Sequence, residues 1–270
     1  MNKINTYLLL ILIVVIASCH SKIKERKDEV YSRHLQKHIS LTVISTPVPK
    51  NKSDFNLLLL NDGQNIEKLR VKEIVDSLYR KKLIQPLIVV AINAFDRKQE
   101  YGVAGKTDAN GNGASAEKYA GFITGELLPF IKKKAAVRKF NSVTLAGSEL
   151  GGLSAFDVVW ENADKIDKVG VFSGSFGVTN KETNKSDSSA ENRIIINKIR
   201  SSRKRPHLQY WFYAGENESS NDTKDLIDLI KKKNFINEGD ITFLKDKNGS
   251  TDYDSWSHAF AGFLLWAEGK

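Results

Sequence analysis

One cysteine in 270 residues leaves no partner for a disulfide within the chain, so the fold must rest on its apolar core. Histidine is nearly as scarce: five residues, at positions 20, 34, 38, 207 and 258, none in an H-x-x-x-H pair or beside clustered carboxylates. That spacing predicts no metal site, and no motif for a cofactor is present. There is no internal repeat and no second domain. Apolar runs are short, the longest spanning 7–17, too few residues to cross a bilayer comfortably. What the chain does have is 41% hydrophobic residues and enough length for one substantial core.

The apolar run follows Asn2 and Lys3 and ends in Ile16-Ala17-Ser18-Cys19, which is the form of a secretory h-region closed by small residues. Small residues before the chain's sole cysteine resemble a bacterial lipobox. The expectation is a signal peptide over 1–18, acylation of Cys19, and a location in the bacterial cell envelope, lipid-anchored outside the cytoplasm on a periplasmic or surface face. Residues 19–38 are polar and charge-rich and read as a tether; the domain then occupies 39–270. The formal charge is +9, and +8 once 1–18 and its one lysine are removed. Lysine runs at 132–134 and 231–233 follow apolar helical stretches, where cations complement helix C-termini. This favours a local role over nucleic-acid binding, and no nucleic-acid partner is expected.

Along the domain, apolar runs at 55–60, 86–93 and 143–146 have the character of buried strands, joined by strands at 38–45, 168–173, 208–214 and 240–244. Helical spacing appears at 71–82, 116–134, 153–162, 190–201, 223–233 and from 256 onward. The alternation predicts an α/β fold, a mostly parallel sheet covered by helices on both faces.

The chemistry centres on 143–152, VTLAGSELGG. A G-x-S-x-G nucleophile elbow places serine on a sharp strand-to-helix turn, with glycines where strand and helix approach. Gly147 and Gly151 hold the glycine positions, and Glu149 stands at the apex.

Several segments in order resemble the esterase family of α/β-hydrolases that includes siderophore (enterochelin-type) esterases, feruloyl esterases and S-formylglutathione hydrolases. They are Leu60-Asn61-Asp62-Gly63-Gln64, Arg97-x-x-Glu100-Tyr101, the stretch 125–131 (GELLPFI), and Phe172-Ser173-Gly174-Ser175-Phe176. The resemblance runs from about residue 40 to 266 and implies an α/β-hydrolase fold with a Ser-His-acid triad. Carried over position by position, the nucleophile is Glu149, the acid is Glu218, and Thr251 stands where histidine belongs, in Gly249-Ser250-Thr251-Asp252-x-x-x-Trp256. The oxyanion donors implied are the backbone N–H of Leu150 and one near Gly63 or Gln64.

Losing serine or histidine from such a triad costs on the order of a millionfold in turnover. The expectation is therefore a non-hydrolytic protein. It would bind a small-molecule ester, a siderophore-like or a glycan ligand, or serve as a subunit with an envelope protein partner. The alternative is an active ester hydrolase or acyltransferase with a rebuilt site. For Glu149, two roles stand open: a carboxylate seated in the anion-favouring hole at the helix N-terminus, or a position that has drifted without a new role. Carboxylates can be covalent nucleophiles, but Thr251 offers no base to release an acyl-glutamate. Ser148, one residue before the apex, is expected to point elsewhere. Trp256, Phe260 and Trp266 are expected to pack the last helix.

Overall fold

A computed structural model describes residues 23–180, 192–216, 218–233, 237 and 239–270. Cys19 and residues 1–18, the expected signal peptide, lie outside them. Eight strands form one sheet in the order β1-β2-β4-β3-β5-β6-β7-β8. They are β1 (Lys24–Ser32), β2 (Lys37–Ser45), β3 (Asn56–Asn61), β4 (Leu87–Ile92), β5 (Val143–Ser148), β6 (Lys168–Phe172), β7 (Gln209–Gly215) and β8 (Ile241–Asp246). From β4 to β8 every neighbouring pair is parallel, and β2 joins antiparallel to β4.

Strand alternation divides the core. Leu57 and Leu59 of β3 point into one apolar layer, Leu58 and Leu60 into the other. The first layer is closed by α3 (Ala116–Gly121), α4 (Leu128–Ala135), α5 (Leu150–Glu161), α6 (Ile194–Ser201) and α7 (Glu218–Lys232), through side chains such as Phe122, Ile131, Phe156, Ile199 and Ile230. The second is closed by α1 (Val71–Arg80) and α8 (Tyr253–Glu268), with Val75, Leu78, Phe260 and Phe263. A four-residue α2 (Arg97–Glu100) lies between β4 and α3. The α3 and α4 helices are continuous through a π-helical stretch, Phe122–Leu127. Trp256 and Phe260 are buried as expected of packing residues, while Trp266 is half-buried against Phe263.

One boundary is corrected. Residues 24–38, read as tether, belong to the sheet: all nine residues of β1 pair antiparallel with β2. The charges deceived because β1 is an edge strand, where alternating Lys, Glu and Arg deter pairing with another chain. Its inward positions Asp28, Val30 and Ser32 are half-buried or buried, and Lys27 Nζ donates to Thr42 Oγ1 of β2 at 2.8 Å. Helix starts also moved. Helix α5 begins at Leu150 rather than 153, because Gly151 and Gly152 are within it despite their low helix propensity. In α8 the Asp252 carboxylate accepts from Ser255 N at 2.8 Å, an N-cap that sets the start at Tyr253 rather than 256.

Candidate functional site

The loops that follow the C-terminal ends of the parallel strands share one edge of the sheet, the edge where open α/β sheets place their sites. After β5 the chain turns at Glu149, whose φ of 49° and ψ of −118° are strained for a residue with a side chain. The turn works only because glycines flank it. A Cβ on Gly147 would sit 2.4 Å from the Gly151 carbonyl oxygen, and one on Gly152 would sit 2.9 Å from Val171. Helix α5 thus leaves directly over β5 and β6, the geometry of a nucleophile elbow.

The Glu149 carboxylate does not cap α5. Its Oε2 lies 3.2 Å from Arg97 Nη2, correcting the idea that it turns back onto the helix N-terminus. The cation wins because it is itself fixed: Arg97 Nε donates to Asp62 Oδ1 at 2.9 Å, and Nη2 also reaches the Ser148 carbonyl at 3.2 Å. Asp62 is buried at 2% exposure, in the left-handed conformation with φ of 60°, at the end of β3. Desolvation raises its carboxyl above the usual aspartate value, and Arg97 works against that shift. Its Oδ2 is buried without a hydrogen-bond partner, and a Cβ on Gly151 would meet it at 2.8 Å. Charge Asp62–Arg97–Glu149 therefore runs in a line from the buried strand end to the half-exposed apex.

Neutral groups hold the same junction. Asn61 Nδ2 donates to the Gly151 carbonyl at 2.8 Å, Tyr119 Oη donates to Asn61 Oδ1 at 2.6 Å, and Asp62 N donates to Tyr101 Oη at 3.0 Å. Burial holds both phenols well above the ordinary value, so both keep their protons at neutral pH. Gly63 and Gln64 form the turn after β3, directly following Asp62. A Cβ on Gly63 would be 2.6 Å from the backbone of Ala91, and the Gln64 amide bridges Asp62 Oδ1 and Ala94 N. Leu150, the other oxyanion-equivalent residue, is the first residue of α5.

Thr251 is exposed in the connection from β8 to α8. Two residues on, the half-buried Tyr253 packs edge-on against Trp256, and its phenol is raised by burial and by nearby Asp62. Ser148 is the buried last residue of β5. A Cβ on Gly215, at the end of β7, would lie 2.3 Å from the Gly249 carbonyl, so the connections after β7 and β8 touch. Glu218 opens α7, five residues before the predicted start, and its carboxylate lies outside the described groups. Of the described histidines, His34 packs against Gly121, His38 pairs with Glu29 at 3.0 Å, His207 precedes β7 at the opposite edge, and His258 is exposed on α8. None of these positions replaces an imidazole at 251. Beside Leu150 the cavity is about 20 Å³, room for roughly one water.

Sequence reasoning had quoted Arg97, Asp62 and Tyr101 as pattern residues without assigning them these contacts, and it missed Tyr253 altogether. Spacing along the chain carries no trace of which loops meet.

Comparison with curated protein sequences finds no match. Similar solved structures include a ferulic acid esterase, 19% identical over 92% of this chain and 98% of that one, with a TM-score of 0.70. The enterobactin esterase of Shigella flexneri, solved in the presence of enterobactin, is 18% identical over 93% of this chain, with a TM-score of 0.75. This chain spans 61% of that esterase's length. An IroE-like serine hydrolase from Shewanella oneidensis is 15% identical over 90% of this chain and 79% of that one, with a TM-score of 0.68. The family described as "Putative esterase" matches residues 32–267, and the chain belongs to it, an α/β-hydrolase fold with glutamate at the apex of its elbow.

Proposed function

We propose that the chain is an exported, lipid-anchored member of this family that binds a ligand at the esterase site and does not hydrolyse it. The observation that carries the reading is the pairing of Glu149 with Arg97 at the apex. An acyl nucleophile must present a free, activated oxygen there. Instead a carboxylate is held by a guanidinium whose other contacts are the buried Asp62 and the Ser148 carbonyl. Thr251, in the histidine position, has no basic group, so neither attack nor deacylation has a proton acceptor. The ligand class is a small ester, siderophore-like or glycan-linked; enterobactin, seen with the Shigella esterase, is the first compound to titrate. Service as a subunit beside an envelope protein uses the same inert site.

The second reading, a rebuilt hydrolase, draws on the Ser148 hydroxyl beside the apex and the Tyr253 phenol of the neighbouring connection. A phenol raised by burial keeps its proton at neutral pH and is a poor general base, which favours the binding reading. Purified protein assayed on short-chain and aryl esters decides between them. We expect no rate above background in wild type, Glu149→Ala or Ser148→Ala. Turnover lost on either substitution would make the chain an enzyme. Acylation of Cys19 is tested separately: a lipid precursor should label wild type and not Cys19→Ala.

A further inference from the structure

We infer that the edge of the sheet opposite the candidate site is a docking surface for an anionic phospholipid bilayer. Five described connections and helix ends lead into the N-terminal ends of the parallel strands: 46–55, 81–86, 132–142, 162–167 and 202–208. Together they carry thirteen lysines and arginines against three acids. At the other edge, the described residues 62–70, 93–115, 149, 173–180, 192–193, 216 and 247–252 carry seven cations against eight acids. The positive charge of the chain is thus gathered on one end.

Helix C-termini also lie at this edge, and Lys132 to Lys134 complement the last turn of α4. That does not account for the rest. Lys50 and Lys52 follow a strand, not an α-helix, and Arg138, Lys139, Arg203 and Arg205 lie beyond the last helical turns, all exposed.

Apolar side chains stand exposed among these cations. Val48, between two prolines, is 67% exposed and Leu83 is 44% exposed. Cations surrounding protruding apolar groups suit the headgroup layer, where phosphates meet acyl chains. Between them a cavity of about 260 Å³ opens on the same edge, with Arg26, Lys52 and Lys134 at its rim and Phe55, Ile88 and Ile131 among its walls. Arg26 and Lys134 share Asp28 at 3.5 Å each, leaving the rim net positive.

Connectivity points to the same occupant. Lys24, the first residue of β1, pairs with Ser45, which pairs with Ile88 at the start of β4, so the chain enters the domain at this edge. Cys19 is five residues upstream, a reach of at most about 17 Å. A membrane anchor there holds the cationic edge against the bilayer and turns the Glu149 edge toward water. The docking surface is independent of how the candidate site is used and shares with the proposal above only export to a membrane.

The test uses the full chain reconstituted in vesicles of phosphatidylcholine, alone or mixed with phosphatidylglycerol. A photo-reactive side chain is placed at Val48, at Leu83 or, on the opposite edge, at Lys247. Cross-linking to phospholipid at 48 and 83 should exceed that at 247 by about tenfold in the anionic vesicles and fall with added salt. Reversing Lys50, Lys52, Arg203 and Arg205 to Glu should remove most of it, with circular dichroism checking the fold. Equal yields at the three positions, yields indifferent to phosphatidylglycerol, or cross-links in native membranes that go to protein instead of lipid would each overturn the inference. Because any membrane-held N-terminus suffices, unacylated Cys19 would not by itself change these yields.

Discussion

At the apex, backbone strain and a half-exposed ion pair oppose each other, and their sizes can be compared. A non-glycine residue at φ 49° and ψ −118° costs about 1–3 kcal/mol. The Glu149–Arg97 pair, with side chains 40% and 30% exposed, returns at most about 1 kcal/mol after solvent screening. Glycine adopts that conformation freely but gives more entropy to the unfolded chain. Glu149→Gly should therefore stabilise the protein by about 1 kcal/mol and raise Tm by about 3 °C in calorimetry. Gly147→Ala, two residues away, should do the reverse, losing about 2–3 kcal/mol, since its Cβ meets a carbonyl oxygen at 2.4 Å. If Glu149→Gly lowers Tm instead, the ion pair with Arg97 is worth far more than an exposed pair.

Between elements, a single carboxylate joins three of them. Glu268, at the end of α8 and 1% exposed, accepts from Asn56 Nδ2 of β3 at 2.7 Å and from Thr144 Oγ1 of β5 at 3.1 Å. Burial raises its carboxyl above the ordinary glutamate value, with Asn56 and Lys168 working against the shift. A raised folded-state value means the folded protein holds the proton more tightly than the unfolded chain does. The stabilisation is full below the unfolded value and is lost as pH rises through the folded one. Glu268→Gln keeps the shape and the acceptor oxygen without the buried charge. It should be more stable than wild type by about 1 kcal/mol at pH 7, with the gap closing as pH falls into the carboxyl range. Urea midpoints of both proteins from pH 7 to 4 measure this, and a gap constant across that range would mean Glu268 titrates as an exposed glutamate does. These contacts also mark the limit of what sequence could reveal. Apolar runs announced β3, β4 and β5 within a residue or two because strands buried on both faces are mostly apolar, with polar members such as Asn56 and Thr144 paired by hydrogen bonds. Strand β1 was hidden, since an edge strand carries the same charges as a tether, and pairing partners far along the chain leave no local mark.

Across the whole molecule, the sheet brings to one edge what the chain keeps more than a hundred residues apart. Position 149 follows β5, Glu218 follows β7, and Thr251 follows β8. The resemblance to the triad pattern was legible because the glycine spacing and the terminal Asp252-x-x-x-Trp256 segment match it, although Glu149 and Thr251 do not. Arg97 was not legible as the partner of Glu149, because only folding places α2 over the elbow. On the reading proposed above, what differs from a triad is side chains and not backbone: Leu150 opens α5, and Asp62, ahead of the Gly63–Gln64 turn, reaches the elbow through Arg97. Restoring serine and histidine together, as Glu149→Ser with Thr251→His, should therefore give measurable hydrolysis of aryl esters. Either change alone should give almost none, since serine without a base is barely nucleophilic and the two act as a unit. Recovery should stay far below a working esterase. Thr251 lies exposed, Arg97 occupies the space beside the apex, and a misplacement of about 1 Å costs roughly a hundredfold. Arg97 then has a further effect: freed from Glu149, its guanidinium lies beside the new serine and can hold an anionic product, so Arg97→Met in the double variant should relieve product inhibition. A folded double variant with no rate above buffer would place the loss in the shape of the mouth, and not in the two missing side chains.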